Sequence, residues 1–475
     1  MHKNRTSRLP GAATTLVACA LLSGCMMGRD YARPELDLAA NHAVSVAPAT
    51  ASSIGNVAWF DLYEDPQLRQ LVRDALDRNL NLQLALARVE EAQGRIRVSR
   101  SSLFPTLSGS LETTASPRAH GNDSNFMTGL AFGWQIDLFG RLQRMSEAAR
   151  ADWLASQAGR NAVISQLITQ VATAWFSIRE LRREEDITRR NIEIQQASLD
   201  LVRSMHRNGI ASDSEEQQAI SQLAGTQASL PQLVQARLVQ ENNLAILVGD
   251  YPAARPDTAP VTGKGLALDT LPLGVPTDLL ARRPDVIAAE ERLHAAIALE
   301  GAAMANRFPF PTIGFGAFFG RLSPTVGDLW GGGDSVSLNS WGPSLSLPIV
   351  NFRRDAGNVD IATAQAKQAL IGYRMTVQNA LLEVNQAAYA LNAAQDQIVP
   401  LQQQSTSATR LLTLQQMRFK SGVSSYLELL DAQRQLLGTQ INLSRAHLNR
   451  DLALLALYQA LGGGWTSEAK REASN

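Results

Sequence analysis

Phe126-Met127-Thr128-Gly129-Leu130-Ala131-Phe132-Gly133-Trp134-Gln135-Ile136-Asp137-Leu138 is the stretch on which the fold turns. Phe126, Thr128, Leu130, Phe132, Trp134, Ile136 and Leu138 alternate with Met127, Gly129, Ala131, Gly133, Gln135 and Asp137. That period of two is expected of a strand with one face to lipid and the other to a wet lumen. Leu103 to Ala115 is its predicted partner, with Leu107, Gly109 and Leu111 set against Thr106, Ser108, Ser110 and Glu112. A second pair has Ile313, Phe315, Ala317 and Phe319 in one strand and Trp341, Leu345, Leu347 and Ile349 in the other. Each run is close to the roughly nine to eleven residues of a tilted membrane strand. A soluble sandwich shows the same alternation, but it does not normally insert only two hairpins into an otherwise helical chain. Bacterial membrane barrels close with at least about eight strands, and an open edge in lipid leaves backbone groups unpaired at several kcal/mol each, roughly. Four strands per chain cannot close, so the chain is expected to oligomerise.

Outward from the strands the pattern becomes helical. From about Gly140 to His206 there is no proline and hardly any glycine, which predicts one helix of roughly 67 residues, on the order of 100 Å long. Ile164, Ile168, Val171, Trp175 and Ile178 form a coiled-coil seam, and Val377, Leu381, Val384, Ala388 and Leu391 repeat its spacing. Gly209 and Gly422 fall where such helices must reverse, because glycine takes positive φ freely. Ser212, and Ser424 or Ser425, can cap the returning helices, while Pro231 and Pro400 fall inside helices and are expected to kink or locally open them. The two turns parallel one another, Phe104-Pro105-Thr106-Leu107 is echoed by Phe310-Pro311-Thr312-Ile313, and Asp137-Leu138-Phe139-Gly140-Arg141 by Val350-Asn351-Phe352-Arg353. The chain reads as a tandem duplication. The fold class is therefore mainly α with a membrane β-barrel portion, continued by a long helical coiled-coil tube.

At the N-terminus His2, Lys3, Arg5 and Arg8 precede a short apolar run, Ala12 to Leu22, which has the layout of a secretory leader. Leu22-Ser23-Gly24-Cys25 resembles the bacterial lipoprotein box, which implies cleavage before Cys25, an S-diacylglycerol on its thiol and acylation of its amine. The other cysteine, Cys19, lies in the part to be removed. Met26 rather than Asp follows, which resembles the sorting pattern of outer-membrane residence. After Cys25 no stretch of about 18 apolar residues occurs, so no transmembrane helix is expected. The division read from these features is a leader at 1–24, an extended tether at 25–58, a first repeat at 59–260, a second at 261–462 and a flexible tail at 463–475. Of 475 residues 44 are basic and 44 acidic, a balance with none of the basic excess that accompanies nucleic-acid binding.

The chain is similar to the TolC/OprM-like outer membrane factors, in particular their NodT-type lipoprotein branch. The residues that carry the resemblance are Trp59-Phe60, Asp65-Pro66-Gln67-Leu68, Asn79-Leu80-Asn81-Leu82, Asp137-Leu138-Phe139-Gly140-Arg141, Leu279-Leu280-Ala281-Arg282-Arg283-Pro284-Asp285-Val286 and Leu429-Leu430-Asp431-Ala432-Gln433-Arg434. The resemblance implies a homotrimer whose three chains give four strands each to a twelve-stranded barrel. It implies a periplasmic adaptor docking at the helical turns, here Arg207, Gly209, Ile210, Ala211 and Ser212, and Lys420, Gly422, Val423, Ser424 and Ser425. An inner-membrane pump, of the resistance-nodulation-division type, is the further partner. A periplasmic constriction is also implied, for which Leu411, Leu412 or Gln416 are the candidates, since Leu411 to Met417 carries no acid. Arg282-Arg283-Pro284-Asp285 reads as helix-start chemistry, with the arginines paired to carboxylates or covering a helix end.

Six scattered histidines show no metal-ligand spacing, and neither a phosphate loop nor a Gly-x-Ser-x-Gly elbow occurs. No enzyme, metal or dissociable cofactor is expected. Glu184-Glu185-Asp186 and Glu290-Glu291 read as solvated helix faces. The expected function is a passive duct for antibiotics or other toxic small molecules. Protein or metal-ion export through the same duct is the alternative, and a free-standing porin or passive coiled coil a more distant one.

Overall fold

The computed structural model describes residues 26–36, 63, 65–118, 121–252, 279–307, 311–331, 333–347 and 352–465. The elements run α1 (Pro66–Arg78), α2 (Leu80–Ser101), β1 (Thr106–Arg118), β2 (Gly121–Ile136), α3 (Arg141–Arg207) and α4 (Asp213–Leu247). After them come α5 (Leu279–Arg282), α6 (Pro284–Ala305), β3 (Thr312–Ser323), α7 (Asp328–Gly331), β4 (Val336–Ser346), α8 (Phe352–Lys420) and α9 (Tyr426–Ala460). The helix read over 140–206 is α3, with 67 residues, and its counterpart α8 has 69. Pro231 and Pro400 sit inside α4 and α8, which are assigned without a break. No described helix is long and apolar enough to cross a membrane.

Contacts divide the chain into two units. The first takes Ala87–Gln157 and Ala288–Met375 with the N-terminal residues up to Glu35. Its four strands form one antiparallel sheet in the order β1-β2-β3-β4. The register sets Leu130 between Gly109 and Phe319, and Phe132 between Leu107 and Ala317. Ala317 in turn faces Trp341, and Ile313 faces Leu345. One face therefore gathers most of the large apolar side chains, and the other carries Ser108, Ser110, Gly129, Ala131, Gly133, Gly316 and Ser340 together with Met127, Phe318 and Leu338. Toward the helix end the apolar face has no cover among the described residues, for Leu107 is 71% and Trp341 75% exposed. The outer edges of β1 and β4 meet no strand among the described residues. β4 ends at Ser346, before the expected Leu347, and Ile349 lies outside the described residues. Below the sheet, Ala148 and Ala151 of α3 cluster with Ala295 and Ala298 of α6, small side chains that let two helix backbones approach.

The second unit takes Leu36–Leu86, Ala158–Ile287 and Thr376–Asn475. The predicted seams form its core. Ile168 and Val171 of α3 are 1% and 0% exposed, and Val384 and Ala388 of α8 are 0% and 1%. Leu68, Val72 and Ala75 of α1 and Leu454 to Leu461 at the end of α9 join the same cluster. Asp65 caps α1, accepting from the Gln67 amide at 2.8 Å, with Pro66 at its first position. Ser165 donates to the Gly463 carbonyl at 2.6 Å and Trp465 Nε1 to that of Arg282 at 2.9 Å, so packing runs past position 462.

The acidic runs correct the sequence reading. Glu184 and Glu185 are buried and paired across helices: Arg445 Nη2 reaches Glu184 at 3.0 Å and Arg237 Nε reaches Glu185 at 2.7 Å. Arg179 pairs with buried Asp451 at 2.8 Å. Helices packed side by side bury flanks that an isolated helix would leave wet, and the partners come from helices distant in sequence. Arg283 behaves as read, binding Asp285 and Glu383 at 2.7 Å each and the Ala460 carbonyl at 3.0 Å.

Glu180, in the same charged layer, is 5% exposed, and burial pushes its carboxyl upward from the usual range. The folded protein thus holds the charged form at a cost wherever the unfolded chain is already ionised. Glu180→Gln is expected to raise the thermal midpoint near neutral pH by roughly two degrees. The gain should shrink as pH falls through the raised range toward the ordinary glutamate value, and be gone below it. A lower midpoint for the variant at neutral pH would count against this account.

Candidate functional site

Both helical reversals are built by the same device. At the end of α3, the Ile210 amide donates to the Met205 carbonyl at 2.9 Å and Gly209 to His206 at 2.9 Å. At the end of α8, Val423 donates to Arg418 at 2.9 Å and Gly422 to Phe419 at 3.0 Å. These are paired Schellman bonds, which need a left-handed residue at the glycine, and φ is +72° at Gly209 and +71° at Gly422. A Cβ at either position would meet nothing within 4 Å, so conformation and not space requires the glycine.

The returning helices start differently. Ser212 caps α4 in a full capping box, with the Glu215 amide donating to its hydroxyl at 3.3 Å and its own amide to the Glu215 carboxylate at 2.8 Å. Ser425 occupies the cap position of α9 but makes no side-chain cap bond. Arg203 and His206 both reach Glu216, at 3.2 and 2.7 Å, and the His206 hydrogen bond holds that carboxyl below its usual range. Behind the turns the two hairpins share one apolar cluster, in which Leu199, Val202 and Leu223 join Leu412, Phe419, Tyr426 and Leu430.

The structure thus joins the two predicted turns through a common core and leaves their tips in solvent. Ile210 is 69% and Val423 68% exposed, and Arg207, Ser212, Lys420 and Ser425 are also exposed. Ala211 packs against the cluster and Ser424 is half-buried. Of the three constriction candidates, Leu412 is 5% exposed inside the hairpin core and therefore committed to it, Leu411 packs beside it, and Gln416 is half-exposed. Cys25 lies outside the described residues.

A second site escaped sequence reading. Residues 26–36, which form neither helix nor strand, are strapped across α3 and α6. The Met27 amide donates to the Phe139 carbonyl at 3.2 Å. Arg144, with a side chain 2% exposed, donates to the Met27 carbonyl at 3.2 Å, to Asp30 at 2.7 Å and to Glu147 at 2.8 Å. Arg33 forks onto buried Glu290 at 2.7 and 2.8 Å. Tyr31 donates to the same carboxylate at 2.9 Å and stacks on His294 at 4.6 Å. Burial, reinforced by that hydrogen bond, pushes the Tyr31 hydroxyl upward, so it stays a neutral donor. The side-chain hydrogen bonds between the strap and the helices span 114 to 259 residues of the chain, and no local motif announces them.

A sheet with an uncovered apolar face and two open edges, joined to paired helices of about seventy residues, defines a channel-forming outer-membrane subunit. The chain belongs to the outer membrane efflux protein family, whose model matches residues 71–250 and 275–463. It is 32% identical over 454 residues to the cation efflux system protein CusC of Escherichia coli O6:H1, covering 94% of this chain and 96% of that one. To the solvent efflux pump outer membrane protein SrpC of Pseudomonas putida it is 31% identical, covering 95% and 98%. Among solved structures it resembles the outer-membrane channel OprN, with a TM-score of 0.82, 29% identity, and 93% and 100% coverage.

The strap depends on one close approach. Gly28 has φ +86°, and a Cβ there would lie 2.6 Å from the Gly301 Cα. Gly28→Val is expected to lift the strap, seen as rapid proteolysis within residues 26–36 while the helices stay resistant. Equal protection of variant and wild type would contradict the geometry.

Proposed function

We propose that the chain is the exit duct of a three-part efflux assembly, conducting toxic small molecules outward across the outer membrane. The observation that carries the reading is the four-stranded sheet, with most large apolar side chains on one largely exposed face, mostly small and polar ones on the other, and both edges unpaired among the described residues. In lipid such edges must find partner strands, and three chains supplying four strands each give a twelve-stranded trimeric barrel. A lumen mostly of Ser, Gly and Ala, with a few apolar side chains such as Phe318, offers hydrated solutes little selectivity, so choice of cargo belongs to the inner-membrane pump. The duct catalyses nothing and energy comes from that pump, which the resemblance gives as the resistance-nodulation-division type. Cys25 carries the S-diacylglycerol and N-acyl lipid, and the strap beginning at Met26 holds the chain next to it against α3 and α6.

The tips receive the periplasmic adaptor. Paired, solvent-exposed apolar residues, Ile210 and Val423, on two reversals of matching geometry support this, since similar adaptor hairpins would meet similar surfaces. With Leu412 held in the core, half-exposed Gln416 is the better candidate to narrow the periplasmic end, ahead of Leu411. Metal-ion export is the second reading, favoured by the similarity to a cation efflux protein.

The test is intracellular accumulation of dyes, antibiotics and metal ions in cells lacking the chain, complemented with wild type, Gly422→Trp or the pair Ile210→Asp and Val423→Asp. Several unrelated organic compounds should build up without the chain. Both tip variants should form trimers in the outer membrane and fail to restore export. Accumulation of metal ions alone would select the second reading, and normal export by the tip variants would remove the docking role. Cys25→Ser should abolish labelling by radioactive palmitate; persistent labelling would overturn the lipid assignment.

A further inference from the structure

The apolar face of the sheet is not uniform. In the connection between β3 and β4, α7 folds back over it, burying Leu329 to 2% exposure, and Arg321 Nη1 donates to the Leu329 carbonyl at 3.4 Å. Beside the helix lies a groove of about 850 Å³, with Leu111, Leu130, Phe319, Arg321, Trp330 and Asn339 in its lining. The register puts Leu111, Leu130, Phe319, Arg321 and Asn339 on one face, while Ser110, Gly129 and Gly320 of the lining alternate with them. Leu111 faces Thr128, which faces Arg321, and Leu130 faces Phe319, which faces Asn339. This is the face of Phe132, Trp341 and Leu345, so the groove is continuous with the lipid-facing wall.

Its level in the membrane follows from connectivity. Long helices follow the strand ends at Ile136 and Ser346, whereas the groove lies toward the opposite end of β3 and β4, where they are joined, and midway along β2. Helices of that length are periplasmic, so the groove opens into the outer leaflet. Among the described residues Arg321 is the one charged residue in the lining, exposed between Thr128 and Ser337 of the neighbouring strands, and neighbouring Asp328 is turned to the Thr325 hydroxyl at 2.7 Å. Trp330 is 77% exposed at the rim, as suits an aromatic ring at a membrane interface. A planar guanidinium above an apolar floor matches a ligand with a phosphate at one end and acyl chains at the other.

We propose that this groove binds a phosphorylated, multiply acylated glycolipid of the outer leaflet, one per chain, with acyl chain along Leu111, Leu130 and Phe319 and phosphate on Arg321. The proposal rests on the outer-membrane reading above. It is tested by native mass spectrometry of the full-length trimer in mild detergent, titrated with bis-phosphorylated lipid A, dephosphorylated lipid A or phosphatidylglycerol. Wild type should bind the bis-phosphorylated lipid up to one per chain. Removing the phosphates, or substituting Arg321→Gln, should each weaken binding about tenfold, and Arg321→Lys should restore part of it. Equal affinity for phosphorylated and dephosphorylated lipid A, no preference over phosphatidylglycerol, or undiminished binding by Arg321→Gln would overturn the site. The ligand comparison on wild type decides this even if a variant fails to assemble. Recovery of the chain in the outer-membrane fraction tests the duct reading separately, and Arg321→Gln should export normally.

Discussion

Every feature of this chain answers to the unpaired backbone at the edges of its sheet. β1 and β4 each present one row of amide and carbonyl groups with no strand to bind among the described residues. Hydrocarbon offers such groups no water, and each left bare costs several kcal/mol, roughly. The uncovered side chains of Leu107 and Trp341 add the opposite preference, since they gain from leaving water. A sheet that must be in lipid and cannot be alone in it has one remedy, which is closure with copies of itself. The strands come two at a time, each pair followed by a helix of about seventy residues.

In the helical unit the same chain solves a different problem. Helices this long cannot hide all their charge in solvent when packed flank to flank, and the seam alone does not fix how they slide. The pairs Arg179 with Asp451, Arg445 with Glu184 and Arg237 with Glu185 lie between helices, and all three carboxylates are buried although the Arg445 side chain is 58% exposed. Breaking such a pair leaves one charge without its partner, so the arrangement favours one axial alignment over its neighbours more than it adds net stability. At the turns the requirement becomes local again. A left-handed glycine closes each helix, and the apolar core behind it lets the exposed tip carry Ile210 and Val423.

Sequence made much of this legible because the signals were periodic or positional. Alternation of large and small residues over 126–138 specified both the strand and its lipid face, since side chains in a strand point to opposite sides whatever surrounds them. The absence of proline between Gly140 and His206 specified α3 almost to the residue. Gly209 and Gly422 could be placed because positive φ is a property of one residue and its neighbours. The acidic runs misled for the complementary reason, since burial depends on what lies across the helix and Glu184 meets Arg445 from 261 residues away.

What the sequence by itself determined, then, was the set of elements, the faces of the strands and the positions of the turns, all of which local backbone and side-chain geometry dictates. Only the tertiary structure decided that residues 26–36 are clasped by Arg144, Glu290 and His294, that Leu412 belongs to the hairpin core, and that α7 roofs a groove with Arg321 in its wall. Each of these brings together groups with no fixed spacing along the chain. Their contact energies depend on distance in space, which sequence separation does not encode.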